Sequence, residues 1–242
     1  MFYREKNVHA VDVRGLLSLL LADGSLNPYR TPAGGYAQLT LTAGPKESAF
    51  LHDKVVEFKQ FLPTKAEIVP YRTTPRANGK TTPVLRFRVS TSKLFPVYNL
   101  LYPRGERRIT STVLDLLGAR AAAWLWAEGS RPHRDESAEL ARVGSSTQEA
   151  IAIQQWLERL TGATAQIDLE RIKPRLWFKP EECNKLKHRL IDYAPQSRQH
   201  LFENRYWDVS AIHDHRTQLR FMERQHSLSG ASQEAVALHS AL

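Results

Sequence analysis

The stretch Gly15–Leu26, GLLSLLLADGSL, decides how the chain is read: an almost unbroken apolar run from Leu16 to Ala22 stops on an acid, a glycine and a serine. Leucine runs of this kind form buried helices. An acid at the foot of such a helix does nothing for burial. A second stretch, Gly118–Pro132, GARAAAWLWAEGSRP, repeats the design of apolar helix, small residue, carboxylate, glycine and serine.

The segments downstream of each acid also repeat, and a repeat fixes the fold more firmly than any single element. After Asp23 come turn residues NPYRTPAGG and then YAQLTLTA, whose alternation marks a half-buried strand. KESAFLHDKVVEFKQFL carries Phe50, Leu51, Val55, Phe58, Phe61 and Leu62 at helical spacing. AEIVPYRTT and TPVLRFRVS read as strands joined by a loop holding Asn78-Gly79, and SKLFPVYNLLYP closes the unit as a short helix with Pro96 in its first turn. After Glu128 the same order returns as SAELARVG, a weaker strand, then the helix SSTQEAIAIQQWLERLTG with a serine/threonine start and Gly162 as C-cap. The strands TAQIDLERI and KPRLWFKP and the helix PEECNKLKHRLIDYA complete it. The chain is expected to be α+β, with two αββαββα repeats over residues 1–105 and 106–202 and a polar, His-rich extension over 203–242.

Composition narrows the partners. The 242 residues carry a formal net charge of +9, which points to a polyanion, nucleic acid being the commonest. A single cysteine, Cys183, rules out an internal disulfide framework and a cysteine-based zinc cluster, and fits a reducing intracellular compartment. The charged N-terminus has no signal-peptide pattern and the longest apolar run is too short to span a membrane, so no membrane partner is expected.

The two motifs LLSLLLADGS and AAAWLWAEGS lie about a hundred residues apart, each opening an αββαββα unit, with LYPRGERRITSTVLDLLGARAAAWLWAEGS leading into the second. In this the chain resembles the LAGLIDADG homing endonucleases, in their single-chain, two-repeat branch, over roughly residues 8 to 200. The resemblance implies a monomer with pseudo-symmetric repeats, the motif helices packed at the centre, and two saddle-shaped antiparallel sheets forming a DNA-binding surface. It implies sequence-specific, divalent-metal-dependent hydrolysis of both strands of a long asymmetric double-stranded target.

Physical chemistry supports the pairing. Aligned on Asp23 and Glu128, Ser18 matches Ala123 and Ala22 matches Ala127, and positions four apart share a helix face. Small residues there let two helices approach closely and deliver both acids to one place. Phosphodiester hydrolysis needs an activated water and a stabilised leaving oxygen, which Mg²⁺ or Mn²⁺ held by carboxylates supplies. By resemblance Asp23 and Glu128 are the catalytic metal ligands, helped by the carbonyls of Ala22 and Ala127. Glu128 stands where Asp is usual. Arg107 is matched to a lysine that the branch carries before its second motif, with Arg108 as rival and Arg198 as the candidate in the second copy; arginine stabilises phosphate charge but does not readily release a proton.

Strand alternation selects the outward, base-reading side chains: Tyr36, Gln38, Thr40 and Thr42 in one strand, Arg86 and Arg88 in another, then Gln166 and Asp168, and Lys173, Arg175 and Lys179. Residues 70–90, with Arg72, Arg76, Lys80, Arg86 and Arg88 and no acid, form the best DNA-facing patch, although the same charges would guard an edge hairpin. His213 and His215, around Asp214, have metal-like spacing but read as a solvated tail; Trp124 and Trp126 read as packing residues, and Trp156 and Trp177 as core or sheet-face residues. Two further activities fit the same scaffold: a maturase acting on group I intron RNA, and a DNA-binding protein without catalysis. Nuclease activity is the reading adopted, because it alone needs both acids.

Overall fold

The computed structural model describes residues 12–32, 34–73, 81–170 and 172–203. Arg76, Lys80, the Asn78-Gly79 loop and the His213–His215 pair lie outside them. The described residues form one compact unit that ends at Glu203.

The first repeat runs α1 (Val13–Leu20), β1 (Ser25–Thr31), β2 (Gly34–Ala43), α2 (Ser48–Phe61), β3 (Val69–Arg72), β4 (Pro83–Thr91) and α3 (Phe95–Leu101). A short helix α4 (Ser111–Asp115) leads into the second: α5 (Ala119–Gly129), β5 (Ser130–Pro132), β6 (Ala138–Leu140), α6 (Thr147–Thr161), β7 (Gln166–Asp168), β8 (Arg175–Phe178) and α7 (Pro180–Leu190). Each repeat forms a four-stranded antiparallel sheet of the same order, β1-β2-β4-β3 and β5-β6-β8-β7. Two αββαββα units of identical topology are therefore what the repeated motifs encode.

The motif helices α1 and α5 pack against each other. Leu16, Leu17, Leu19 and Leu20 are buried along α1 and Leu21 at its end, as are Ala121 to Ala127 along α5. Such all-round burial is possible only for helices enclosed by other elements: α2 and α3 pack on α1, and α6 and α7 on α5. Trp124 stacks on Phe50 and Trp126 meets Phe178 edge-on, so both tryptophans are packing residues as expected. Asp12 caps α1 by accepting from the Gly15 N–H at 2.9 Å. Gly15 itself must stay small, because a Cβ would lie 2.4 Å from the Phe61 ring.

The first sheet buries Ala37, Leu39, Leu41, Phe87 and Val89, the inward set of the alternation. The second does so with Ala138, Leu140, Leu176 and Phe178, but its strands are only 3 or 4 residues long against 7 and 10 for β1 and β2. Pro132, which has no N–H to donate, stands at the end of the shortened β5. Cys183 is buried and free, its thiol pushed up to about 11 chiefly by burial, which leaves it unreactive.

The second repeat is pinned to the lead-in segment by one buried carboxylate. Ser146 and Glu149 form the capping box of α6. Glu149 also accepts from the N–H of Ser145 at 2.6 Å and, from forty residues upstream, the N–H of Ile109 at 2.8 Å. Burial works against its ionisation, but these donors outweigh it and hold the carboxyl below its usual range.

Candidate active site and nucleic-acid interface

Helix α1 stops at Leu20 and Asp23 follows three residues later, before Gly24 turns the chain at φ 92°. Helix α5 runs one turn further, to Gly129, so Glu128 lies in its last turn. The two carboxylates nevertheless converge on one ammonium group: Lys54 Nζ lies 2.8 Å from Asp23 Oδ2 and also contacts Glu128 Oε2. Arg142, just beyond β6, bridges the remaining oxygens, 3.5 Å from Asp23 Oδ1 and 3.4 Å from Glu128 Oε1. All four carboxylate oxygens thus face a cation. Burial alone would raise the Asp23 carboxyl; the charge and hydrogen bond of Lys54, the Gly24 N–H and the Arg142 charge more than reverse this and lower it.

Carbonyls and arginines complete the surroundings. Arg107 donates to the Gly24 carbonyl at 2.7 Å and the Leu21 carbonyl at 3.1 Å, and contacts that of Leu20, satisfying the open end of α1. Its rival Arg108 is paired instead with Glu106 at 2.8 Å on the surface. The Ala22 carbonyl accepts from Arg142 at 3.3 Å, and Ala127 is buried within α5. Arg198 pairs with Glu47, lies 4.8 Å from the Phe50 ring, and lines a cavity of about 370 Å³ together with Asp23, Lys54, Glu128 and Arg142. A larger cavity, about 580 Å³, opens on the other side of Glu128 and is lined by Arg107, Arg131, Arg142, Lys173 and Arg175. An anionic ligand in it would lie among five cations, with the carboxylates of Glu128 and Glu149 also in the wall.

The strand registers decide which predicted reading residues share a face. Gln38 pairs with Ser90, Thr40 with Arg88, and Thr42 with Arg86 across β2 and β4, so they form one outward surface. Tyr36 stacks on Tyr29 at 5.1 Å on the same face. Arg86 lies over the Tyr71 ring at 3.6 Å, and its Nε has no hydrogen-bond partner. Arg72 pairs with Pro83, which alternates in phase with Leu85 and Phe87, and therefore lies on the opposite face from Arg86 and Arg88. In the second sheet Gln166 pairs with Trp177 and Asp168 with Arg175, all on the outward face. Lys173 precedes β8 and Lys179 caps α7, both exposed.

The family model described as "LAGLIDADG DNA endonuclease family" matches residues 15–186, which takes in both motif helices and both sheets. The chain belongs to this LAGLIDADG family. Solved structures show the same fold at low identity. The homing endonuclease I-WcaI bound to its DNA recognition sequence aligns with a TM-score of 0.64 at 11% identity, covering 82% of this chain and 88% of that one. Mesophilic variants of the homing endonuclease I-DmoI align with a TM-score of 0.51 at 15% identity, over 81% and 98% of the two chains. An I-DmoI variant in complex with its target DNA in the presence of magnesium aligns with a TM-score of 0.50 at 15% identity, over 74% and 94%. No curated protein matches the sequence.

Two residues of this LAGLIDADG site were not singled out from sequence. Lys54 left a trace: it falls midway between Phe50 and Phe58 at four-residue spacing, a charge on an otherwise apolar helix face. Arg142 left none, because its strand neighbours give no hint of what lies beyond β6. Trp177, expected in the core or on a sheet face, lies on the outward sheet face, where it pairs with Glu139 and Gln166 and sits 4.7 Å from the His133 ring.

Proposed function

We propose that this chain is a homing endonuclease that cuts both strands of a long, asymmetric DNA target with the help of Mg²⁺ or Mn²⁺. The observation carrying this reading is the meeting of Asp23 and Glu128, one from each motif helix, at a single point lined by arginines. Residues 1–105 and 106–202 serve as the two reading halves of a monomer acting in a reducing intracellular compartment. Their outward faces differ, with Gln38, Thr40, Arg86 and Arg88 on one and Glu139, Gln166, Asp168 and Arg175 on the other. Unequal faces favour an asymmetric site over a palindrome.

The donors fit a hard divalent cation in kind: two carboxylates and the Ala22 carbonyl are oxygen ligands, and magnesium takes one or two protein carboxylates and keeps its waters. Among the described residues no cluster of three His, Cys, Asp or Glu exists, so Asp23 and Glu128 would hold the ion without further acids. When bound, it supplies a Lewis acid for the phosphate and a more acidic water. The protein's own part is to position and neutralise. Arg107, Arg131, Arg175 and Lys173 line the cavity beside Glu128 and would hold a phosphate backbone there. Complexes of I-DmoI variants with target DNA and magnesium or manganese agree in the class of cation.

The deciding experiment is incubation of the wild-type protein with intron-free DNA of its host locus and Mg²⁺. Specific double-strand cleavage is expected; tight binding of that DNA without cleavage overturns the nuclease reading. The maturase reading is favoured by one observation, that Lys54 and Arg142 already neutralise the acid pair. Splicing of a group I intron RNA that depends on the protein, with no DNA cleavage, would establish it.

The sheet assignment has its own test. Arg86→Ala combined with Arg88→Ala should weaken DNA binding and lower the slope of log affinity against log salt by roughly 1 to 2. Arg72→Ala, on the other face, should change the slope by less than half as much. Fluorescence anisotropy across a salt series measures both.

A further inference from the structure

The two cations on the acid pair are unlike each other. Lys54 comes from α2, which is neither motif helix, and its side chain is only 5% exposed. Its ammonium also sits 4.7 Å from the Phe50 ring. Arg142 lies beyond β6 with 47% of its side chain exposed, and both of its contacts to the acids are longer. A buried ammonium withdrawn from the two carboxylates would be left without a counter-charge, whereas an exposed guanidinium released from the same pair is rehydrated at once. The pair therefore has a closed side and an open side.

We propose that Lys54 is a built-in cation that stands in for an ion shared between Asp23 and Glu128, and that Arg142 is the cation that yields. A divalent ion would then be held by Asp23 and Glu128 on the side that Arg142 occupies, while Lys54 keeps its contacts to both acids. Lys54 is a positioning residue: it fixes the two acids relative to each other and sets how much cation the site takes up. The proposal rests on the reading of Asp23 and Glu128 as metal ligands, but not on cleavage.

Its test is Mn²⁺ binding to the full chain, followed by calorimetry and by electron paramagnetic resonance of free Mn²⁺. Lys54→Met removes the charge at similar length and should tighten Mn²⁺ binding at least tenfold or add a site, an effect that a purely structural lysine would not produce. Lys54→Arg should bind as wild type does, and Arg142→Ala should tighten binding by a smaller factor. A folded Lys54→Met protein that binds Mn²⁺ no better than wild type overturns the proposal. Should Lys54→Met not fold, the wild-type protein still decides. With ¹⁵N-labelled lysine, the Lys54 ammonium protons should be protected from solvent exchange and remain so at saturating Mg²⁺; loss of protection on adding Mg²⁺ overturns it. If wild type neither binds Mn²⁺ nor cuts DNA while Lys54→Met binds, the nuclease reading fails and the role of Lys54 stands. If wild type cuts with Mg²⁺ and Lys54 is displaced by it, the nuclease stands and this role fails.

Discussion

Asp23→Asn and Glu128→Gln are each expected to abolish double-strand cleavage, by roughly a thousandfold or more, while leaving DNA affinity within a few-fold of wild type. Placing a cation and an activated water at the scissile phosphate accounts for several kcal/mol of barrier, and each 1.4 kcal/mol is about tenfold in rate. Both substitutions keep the size of the side chain but remove the charge and turn one acceptor oxygen into an N–H donor. The control for folding is circular dichroism, because each variant leaves Lys54 and Arg142 with one carboxylate instead of two. Gel assays on supercoiled target DNA separate nicking from linearisation. Full linearisation by Glu128→Gln would remove Glu128 from the catalytic set, and with it the claim that the two motifs act as a pair.

The same site sets an acid limit. The Asp23 carboxyl is lowered in the folded protein from its ordinary 3.8, so it contributes stability that is present above that value and lost as the pH falls through the folded one. Asp23→Asn should accordingly be less stable than wild type at neutral pH and show a flatter loss of stability below about pH 4.

Glu149→Ala is expected to destabilise the protein by about 3 kcal/mol. The carboxylate accepts from the backbone N–H of Ile109, Ser145 and Ser146, and from the Ser145 hydroxyl. Its removal takes away the Glu149 half of the capping box, roughly 1 kcal/mol, and leaves the buried Ile109 N–H without a partner, about 1–3 kcal/mol. Glu149→Gln keeps one acceptor oxygen and should cost about half as much. Because the folded Glu149 carboxyl lies below its ordinary 4.5, its contribution is present above that pH and disappears as the pH falls through the folded value. Urea unfolding at neutral and acid pH measures all three. A loss under 1 kcal/mol for Glu149→Ala would mean that the lead-in segment is held to the second repeat by something other than this carboxylate.

The parts of the fold legible in the sequence are those with short-range periodicity. Leu16 to Ala22, YAQLTLTA and SSTQEAIAIQQWLERLTG declare their helices, strands and caps through neighbours within four residues, and the structure has each element, although the first helix stops at Leu20. Repetition then supplies what periodicity cannot, since two copies of one topology leave a single sensible way to pair the motif helices. Arg72 shows where this stops. Alternation marks which residues of a strand share a face, but not which face meets its neighbour, and that register is set across a loop by the pairing of Val69 with Arg86. Glu149 had a visible capping role, while its bond to Ile109 spans forty residues and has no local signature.

For the acid pair the division is sharper. That Asp23 and Glu128 belong together came from sequence, because two apolar helices with matching small residues can bury themselves against each other and leave both acids at one end. The groups facing those acids were decided by tertiary structure. Lys54 arrives from α2 and Arg142 from beyond β6, at separations of 31 residues from Asp23 for one and 119 for the other. Contacts at such distances depend on how whole elements pack, and no periodicity in the chain encodes the charge that a carboxylate will meet across a helix interface.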